Sequence, residues 1–267
     1  MPEINVIFSD IDGTFLTSGH RVSPRTAGEV RRAVGLGIPF ILISSRMPEA
    51  ILPIQKMAGI RQPLIAYGGG LILDGDGDVL FSRGMEPDTA AAVGRLVEAE
   101  FPGVAWNFYN AHRWLCPSGD GPHGWVAREE SIVGFRAVPG TLEDVPGWET
   151  VHKILCMGSP QSISALQRRL GAEFPDLNAS LSSPCYLEVS PTSVDKGTAL
   201  ETFCRLYGIP VGQSLAFGDN YNDLEMLRRA GTAYAMANAP EEIRAAAGNV
   251  TADNDHDGIA QVLERLL

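Results

Sequence analysis

Asp10 and Asp12 are the residues whose type and spacing most directly indicate chemistry in this chain. They follow residues 4–8, a short stretch rich in β-branched and aromatic side chains that predicts a buried strand. Side chains two positions apart in an extended segment point the same way, so we expect the two carboxylates to face one site. Such a pair favours a bound metal ion beside a nucleophile, although Asp12-Gly13 is also a common solvated turn.

A second acidic cluster supports the metal-site hypothesis. Residues 214–217 predict another short apolar strand, which is followed by Asp219 and Asp223 at the start of a helical pattern. Ligands of open α/β sheets bind at the carboxyl ends of the strands. Carboxylate oxygens that leave room for water and a phosphate suit Mg²⁺, so we expect Mg²⁺ as the cofactor.

Ser44 and Lys196 stand at two further ends of predicted elements. Ser44 follows an apolar strand predicted over residues 39–43. Lys196 precedes a helix predicted over residues 198–207, and a positive charge in the first helical turn opposes the helix dipole. This unfavourable position suggests that a carboxylate or a phosphate lies beside Lys196.

Taken together, these segments resemble the motifs of the haloacid dehalogenase (HAD) superfamily of phosphotransferases, in particular its Cof-type sugar phosphatases. The matching stretches are Asp10-Ile-Asp12-Gly-Thr14, Ser44, Asp195-Lys196-Gly197 and Gly218-Asp219-Asn-Tyr-Asn222-Asp223, with further similarity at residues 187–189, 235–240 and 254–259. Several motifs in the same order at strand ends are far more specific than any one of them. The resemblance covers roughly residues 1–82 and 188–267.

The resemblance implies catalytic roles for individual residues. Asp10 would attack phosphorus and form an aspartyl-phosphate, while Asp12 would protonate the leaving alcohol and then activate water. Lys196 and Ser44 would hold the phosphoryl oxygens. The implied activity is that of a phosphoric monoester hydrolase.

The same resemblance implies a metal site and contacts to substrate. Mg²⁺ would be bound by Asp10, by the backbone carbonyl of Asp12 and by Asp219, with Asp223 supporting the site. The residues expected to bind or orient substrate are Ser45, Arg46 and Asn222. Ser45 stands where the family commonly has glycine, and Tyr67 where asparagine often precedes the glycines, so both departures concern specificity.

The order of predicted elements indicates an α/β protein with two domains. Strands alternate with helices at residues 24–34 and 49–58, which predicts a Rossmann-like, doubly wound parallel sheet. From about residue 83 the pattern becomes α+β. We therefore expect residues 83–187 to form an inserted cap domain that sets substrate specificity, and residues 1–82 and 188–267 to form the catalytic core.

Composition narrows the classes of partner. The net charge of −11 argues against nucleic acid or an anionic membrane surface, because both attract basic patches. The chain has neither a basic, apolar amino-terminal leader nor a long apolar run, so a cytoplasmic location is expected. The four cysteines lack metal-ligand or redox spacing and are expected to be reduced and buried. Both a monomer and a homo-oligomer are compatible with the sequence.

The expected substrate is a small phosphate ester, most simply a phosphorylated sugar. Cap residues Asn107, Tyr109 and His112 are expected to meet its hydroxyl groups. Two related activities stay open, a phosphosugar mutase of the phosphomannomutase kind and an enzyme like mannosyl-3-phosphoglycerate phosphatase. A metabolite-binding protein without activity is the alternative from a different class.

Overall fold

A computed structural model describes residues 3–118 and 124–267 of the chain. The strands, in chain order, are β1 (Val6–Ser9), β2 (Phe40–Ile43), β3 (Leu64–Ala66), β4 (Leu71–Leu73), β5 (Val79–Ser82), β6 (Ala105–Asn110), β7 (Arg113–Pro117), β8 (Val138–Gly140), β9 (Lys153–Met157), β10 (Leu177–Ser183), β11 (Tyr186–Pro191), β12 (Ser214–Gly218) and β13 (Thr232–Ala235). The α-helices are α1 (Pro24–Gly35), α2 (Pro48–Ala58), α3 (Pro87–Glu100), α4 (Trp125–Val133), α5 (Pro160–Glu173), α6 (Lys196–Tyr207), α7 (Leu224–Arg229), α8 (Glu241–Ala247) and α9 (Gly258–Leu266).

The chain divides into two compact units. The first contains the residues up to Ser82 together with Asp195–Leu267, and the second is Arg83–Val194. The second unit therefore extends beyond the boundary expected near residue 187. The reason is strand pairing, because β11 runs from Tyr186 to Pro191 and pairs antiparallel with both β9 and β10 of the second unit.

The first unit is built on a seven-stranded sheet in the order β13-β12-β1-β2-β3-β4-β5. The five strands from β13 to β3 are parallel, and β4 and β5 extend the sheet as an antiparallel hairpin. On β1, Val6 and Phe8 pack in one core cluster with Leu200 and Phe203 of α6. Helix α7 packs against α6 and α8, and helix α1 packs against α2 and α9. The expected Rossmann-like, doubly wound sheet is confirmed.

The second unit is an α+β structure with a six-stranded sheet in the order β10-β11-β9-β6-β7-β8. Trp106 and Phe108 of β6 join one apolar core with residues of α3 and α5, such as Val93 and Leu166. Their alternation with Asn107 and Tyr109 follows from the two-residue period of a strand. The inserted α+β segment expected from the sequence is therefore present.

Asn107 does not have the role expected of it. Its side chain is fully buried, and its Oδ1 atom accepts a hydrogen bond from Nε1 of Trp114 at 2.8 Å. Its Nδ2 atom donates to the backbone oxygen of Leu155 at 3.2 Å. The expectation that Asn107 meets substrate hydroxyls is wrong, because a buried amide needs these partners and both of its polar atoms are used inside the sheet.

Among the described residues, no helix combines the length and the apolar character that crossing a membrane requires.

Candidate active site

Three adjacent parallel strands bring the predicted site residues to one edge of the first sheet. Strand β1 lies between β12 and β2, with Ser9 paired to Phe217 on one side and to Leu42 on the other. Asp10 follows β1 directly, Ser44 follows β2 and Asp219 follows β12. Parallel strands end at the same edge of a sheet, so residues far apart in sequence meet here.

Asp10 and Asp12 have different surroundings, because the backbone between them leaves the extended conformation predicted for it. Strand β1 ends at Ser9, and the chain then turns so that the backbone nitrogen of Leu16 donates to the backbone oxygen of Ile11. Asp10 is buried, whereas Asp12 is exposed. The two-residue alternation holds only while the backbone stays extended, and this turn ends it.

Lys196 has two carboxylate partners. Its Nζ atom lies 2.5 Å from Oδ1 of Asp10 and 2.5 Å from Oδ1 of Asp223, and all three side chains are buried. Helix α6 starts at Lys196 because Asp195 caps it, accepting a hydrogen bond from the backbone nitrogen of Thr198 at 2.8 Å. The position of Lys196 in the first helical turn suggested a carboxylate or phosphate partner, and the structure contains two carboxylate partners.

Asp223 fixes the loop after β12. Its Oδ2 atom accepts hydrogen bonds from the backbone nitrogens of Asp219, at 2.9 Å, and Asn220, at 3.0 Å. With Oδ1 bound to Lys196, both of its oxygens are engaged. The geometry supports an orienting role, in which Asp223 holds Lys196 and the backbone that carries Asp219.

Asp219 is held by two residues to which the sequence assigned no role. The Thr14 hydroxyl donates to Oδ1 of Asp219 at 2.7 Å. Nδ2 of Asn238 donates to the backbone oxygen of Gly13 at 2.9 Å and lies 3.4 Å from Oδ2 of Asp219. Both residues belong to stretches that carry the resemblance, so a polar side chain inside a matching motif was the available signal.

The turn at Gly13 brings the chain close to Asp219. Gly13 has φ of +80°, and a Cβ atom there would lie 2.4 Å from Oδ2 of Asp219. Glycine is needed for both the conformation and the approach. Gly69 has a packing role of the same kind, since a Cβ atom there would lie 2.7 Å from the backbone oxygen of Asp195. The hydrogen bonds and close packing thus leave the Asp219 side chain and the backbone around it little room to move at the carboxyl edge of the sheet.

The charges at the site fit a divalent cation. Carboxylate oxygens of Asp10, Asp219 and Asp223 all lie within 4.8 Å of one another. Burial, reinforced by the charge of Asp223, raises the pKa of Asp10 to about 8, and burial raises the pKa of Asp219 to about 6. Burial opposes the charge of Lys196, but attraction to Asp10 and Asp223 outweighs it and raises the lysine pKa. Three carboxylates within 4.8 Å of one another, two of them bound to one ammonium group, form an oxygen donor set that suits Mg²⁺.

Arg46, expected to bind substrate, contacts Asp12. Its Nε atom donates to Oδ2 of Asp12 at 2.8 Å, and its Nη2 atom donates to Oδ1 at 2.7 Å. The buried Ser44 lies next to this pair, because its Oγ atom accepts a hydrogen bond from the backbone nitrogen of Arg46 at 3.2 Å. The structure thus joins Ser44, Arg46 and Asp12.

Ser45 and Asn222 complete the predicted set. Ser45 follows Ser44 and is half-buried, and Asn222 is exposed on a single 3₁₀ turn, Tyr221–Asp223. The interactions described above form two connected sets of residues. One contains Asp10, Lys196, Asp219 and Asp223, and the other contains Ser44, Arg46 and Asp12. Substrate binding by Ser45, Arg46 and Asn222 remains a prediction.

Comparison with known proteins identifies the family to which this sheet, with its cluster of aspartates, belongs. The family model of haloacid dehalogenase-like hydrolases matches residues 7–263. The chain therefore belongs to this family of hydrolases, and the resemblance found in the sequence is confirmed.

Individual relatives span essentially the whole chain. A Haemophilus influenzae protein named provisionally as a phosphatase is 37% identical over 97% of this chain and 96% of its own. The 5-amino-6-(5-phospho-D-ribitylamino)uracil phosphatase of Bacillus subtilis is 26% identical over 97% of this chain and 96% of its own. A crystal structure of a haloacid dehalogenase-like hydrolase from Bacteroides thetaiotaomicron superposes with a TM-score of 0.89 at 24% identity, covering 99% of this chain and 100% of that one. At this level of sequence identity, the similarity to the Bacteroides structure shows a shared fold.

Proposed function

We propose that this protein is a Mg²⁺-dependent phosphatase that hydrolyses a small phosphorylated metabolite through an aspartyl-phosphate on Asp10. The observation that carries the proposal is the position of Asp10. It is buried at the carboxyl end of β1, the middle one of the five parallel strands, 2.5 Å from the ammonium group of Lys196 and within 4.8 Å of the carboxylate oxygens of Asp219 and Asp223. A nucleophile in such surroundings suits attack on an anionic phosphate.

The metal would be held by three residues. Asp10, the backbone carbonyl of Asp12 and Asp219 are the proposed ligands, and Asp223 supports them through Lys196 and the backbone of Asp219. When bound, Mg²⁺ supplies positive charge that offsets the repulsion between a carboxylate nucleophile and a phosphate dianion. Thr14 and Asn238 orient Asp219, so its carboxylate does not depend on the ion for its position.

The reaction would take place in two steps. In the first, an Asp10 carboxylate oxygen attacks phosphorus, the ester P–O bond breaks, and Asp12 donates a proton to the leaving alcohol. In the second, Asp12 takes a proton from water as the water oxygen attacks phosphorus, which releases phosphate and restores Asp10. Lys196 and Ser44 hold the phosphoryl oxygens while charge develops on them.

A small sugar phosphate or a sugar-like ester is the proposed substrate. The phosphatase of Bacillus subtilis supports this class, since its name specifies a phosphorylated ribityl chain. The net charge of −11 also favours a small ester over an anionic polymer. The proposed role of the second unit is selection of the leaving group.

The decisive test is replacement of Asp10 by Asn. We expect the Asp10→Asn protein to lose at least ~10³-fold in Mg²⁺-dependent phosphate release, because covalent catalysis needs the carboxylate oxygen. Asp76→Asn is a matched control, since Asp76 is exposed on the β4–β5 turn. Borohydride reduction and peptide mass analysis of the wild-type enzyme, quenched during turnover, should locate the phosphoryl group on Asp10.

Turnover by Asp10→Asn at the wild-type rate, or a phosphoryl group trapped on another residue, would refute the mechanism. The substrate class is tested with a panel of hexose, pentose and polyol phosphates, nucleotides and phosphopeptides. The sugar-phosphate proposal fails if nucleotides or phosphopeptides have the highest kcat/KM. Isomer formation from a sugar phosphate, stimulated by a sugar bisphosphate and without phosphate release, would identify a mutase instead.

A further inference from the structure

Arg46 binds the carboxylate of Asp12 through two parallel hydrogen bonds. Its Nε and Nη2 atoms reach Oδ2 and Oδ1 of Asp12 at 2.8 and 2.7 Å. A planar guanidinium that donates to both oxygens fixes the plane of a carboxylate as well as its position. Building on the function proposed above, we infer that Arg46 is a positioning residue that orients Asp12 for proton transfer.

Asp12 needs such a partner because of its place in the chain. It lies beyond the end of β1, and 49% of its side chain is exposed. Asp10 and Asp223, by contrast, are buried against Lys196. An exposed carboxylate on a turn samples several rotamers, and each departure from the productive one lowers the rate of proton transfer. The two contacts from Arg46 restrict this freedom.

Arg46 itself extends from a fixed backbone. Its backbone nitrogen donates to Oγ of Ser44 at 3.2 Å, and its backbone oxygen accepts from the backbone nitrogen of Tyr67 at 3.1 Å. The backbone of Ser44 is fixed in turn, donating to the oxygen of Ile65 and accepting from the nitrogen of Gly68. The guanidinium therefore starts from a rigid turn, which is what orienting another side chain requires.

Tyr67 contributes to this rigidity at a conformational cost. It has φ of +54°, in the left-handed region that non-glycine residues seldom occupy. In that conformation its backbone nitrogen points at the oxygen of Arg46, and the nitrogen of Gly68 points at the oxygen of Ser44. Strained backbone of this kind persists where the surrounding structure determines it, often at functional sites.

In this role Arg46 neither gains nor loses a proton. Asp12 gives its proton to the ester oxygen as the P–O bond breaks, and it later receives one from the attacking water. Arg46 holds the carboxylate so that the same oxygen reaches both partners. The competing role is direct contact between Arg46 and the substrate phosphate, and the two roles predict different kinetics.

A double-mutant cycle with Asp12 separates these roles. The variants are Arg46→Ala, Asp12→Ala and the double variant, assayed with an alkyl phosphate that the wild type hydrolyses, because its poor leaving group makes turnover depend on proton donation. Arg61→Ala is the matched control, because Arg61 donates to Asp76 and to the backbone oxygen of Gly75 on the exposed β4–β5 turn. Thermal unfolding of each variant establishes that it is folded.

We expect Arg46→Ala to lower kcat by ~10–100-fold in the wild-type background and by less than about twofold in the Asp12→Ala background, because it acts through Asp12. KM and the inhibition constant of inorganic phosphate should change by less than about threefold. Arg46→Lys should recover only part of the loss, since an ammonium group lacks the two-pronged geometry. Arg61→Ala should leave kcat unchanged in both backgrounds.

Two results would overturn the inference. One is an equal loss of kcat in both backgrounds, and the other is a tenfold or larger weakening of phosphate inhibition, which indicates direct contact with the phosphate. Failure of the proposed function has a different signature, because turnover by Asp10→Asn would disprove the covalent mechanism. Additivity in the cycle with an inactive Asp10→Asn would disprove only the role of Arg46.

Discussion

The Nζ atom of Lys196 lies 2.5 Å from Oδ1 of Asp10 inside the first unit, where neither side chain has more than slight exposure. The same ammonium group also donates to Oδ1 of Asp223 at 2.5 Å. A buried ion pair contributes little net stability, but removal of one partner leaves an uncompensated charge in a poorly solvating environment. Lys196 therefore combines two tasks, since it supports the fold of the site as well as the proposed binding of phosphate.

Replacement of Lys196 by Met should cost both stability and activity. We expect the free energy of unfolding without metal to fall by ~3–5 kcal/mol at pH 8, because the buried Asp223 and the ionised fraction of Asp10 lose their counter-ion. Phosphatase activity should fall by at least ~10²-fold, as for loss of a group that stabilises transition-state charge. Urea titration and a phosphate-release assay measure the two effects. The control is Lys56→Met, at an exposed position in the last turn of α2, and an equal loss of stability there would contradict the prediction.

Binding of Mg²⁺ should strengthen as the pH rises from 6 to 8. The pKa of Asp10 is raised from 3.8 to about 8 and that of Asp219 to about 6, so the ion must displace protons at lower pH. Since the folded-state pKa of Asp10 exceeds its unfolded value, the metal-free protein loses stability as the pH rises from about 4 to about 8. The increase in melting temperature caused by Mg²⁺ should therefore be largest near pH 8.

Calorimetric titration of Mg²⁺ at pH 6, 7 and 8 checks this expectation. Asp219→Asn should abolish most of the binding, while Asp76→Asn, on the exposed turn between β4 and β5, should bind as the wild type does. Affinity that is independent of pH would show that Asp10 and Asp219 are not the ligands.

Gly13→Ala should impair the site more than the fold. An Ala at φ of +80° is strained, and its Cβ atom would displace the Asp219 carboxylate that Thr14 holds. We expect a loss of ~1–3 kcal/mol in unfolding free energy and a loss of Mg²⁺ affinity. Gly28→Ala in α1, where a Cβ atom meets nothing within 4 Å, should instead stabilise the protein by about 0.5–1 kcal/mol. Unchanged Mg²⁺ affinity in Gly13→Ala would contradict the prediction.

His152 should make the second unit sensitive to acid. Burial lowers the pKa of His152 from 6.5 to about 4, and its Nδ1 atom accepts a hydrogen bond from the backbone nitrogen of Ala111 at 3.1 Å. Stability is full above the unfolded pKa and is lost as the pH falls through about 4, by up to ~3 kcal/mol. Urea unfolding between pH 7 and 4 should show this loss in the wild type and a smaller one in His152→Gln.

His256→Gln is an informative control for that measurement. Its hydrogen bond to Asp253 raises the pKa of the exposed His256, so its contribution to stability grows as the pH falls. Its removal should therefore change the pH dependence in the opposite direction. If His152→Gln and the wild type lose stability equally between pH 7 and 4, the proposed effect of burial on His152 is wrong.

Elements with strong local signals were predictable from the sequence. Helix α2 is predicted over residues 49–58 and lies at Pro48–Ala58, because its apolar residues recur with helical spacing. Strand β10, at Leu177–Ser183, was missed, since most of its residues are exposed and polar and give no apolar signal. The same contrast between strong and weak local signals holds for the residues of the candidate active site. Strand-end positions predicted the location of Asp10, Ser44 and Asp219, because parallel strands end at one edge.

The partner of each side chain was harder to predict. The unfavourable position of Lys196 indicated a partner, but only the structure identifies Asp10 and Asp223. The pair formed by Arg46 and Asp12 had no sequence signal, because it depends on a turn after Ser9 that breaks the strand periodicity. Contacts between residues far apart in sequence require the packed structure.

The pairing of β1 with β12 has a consequence for how the protein is made. Val6 of β1 pairs with Ser214 of β12, so during synthesis β1 lacks this neighbour until the whole of Arg83–Val194 has been made. The second unit is continuous in sequence and can complete its sheet earlier. Until β12 emerges, one hydrogen-bonding edge of β1 stays open, and apolar strands in that condition are prone to aggregate. Nascent chains stalled before residue 214 should therefore depend on chaperones far more than the finished protein does.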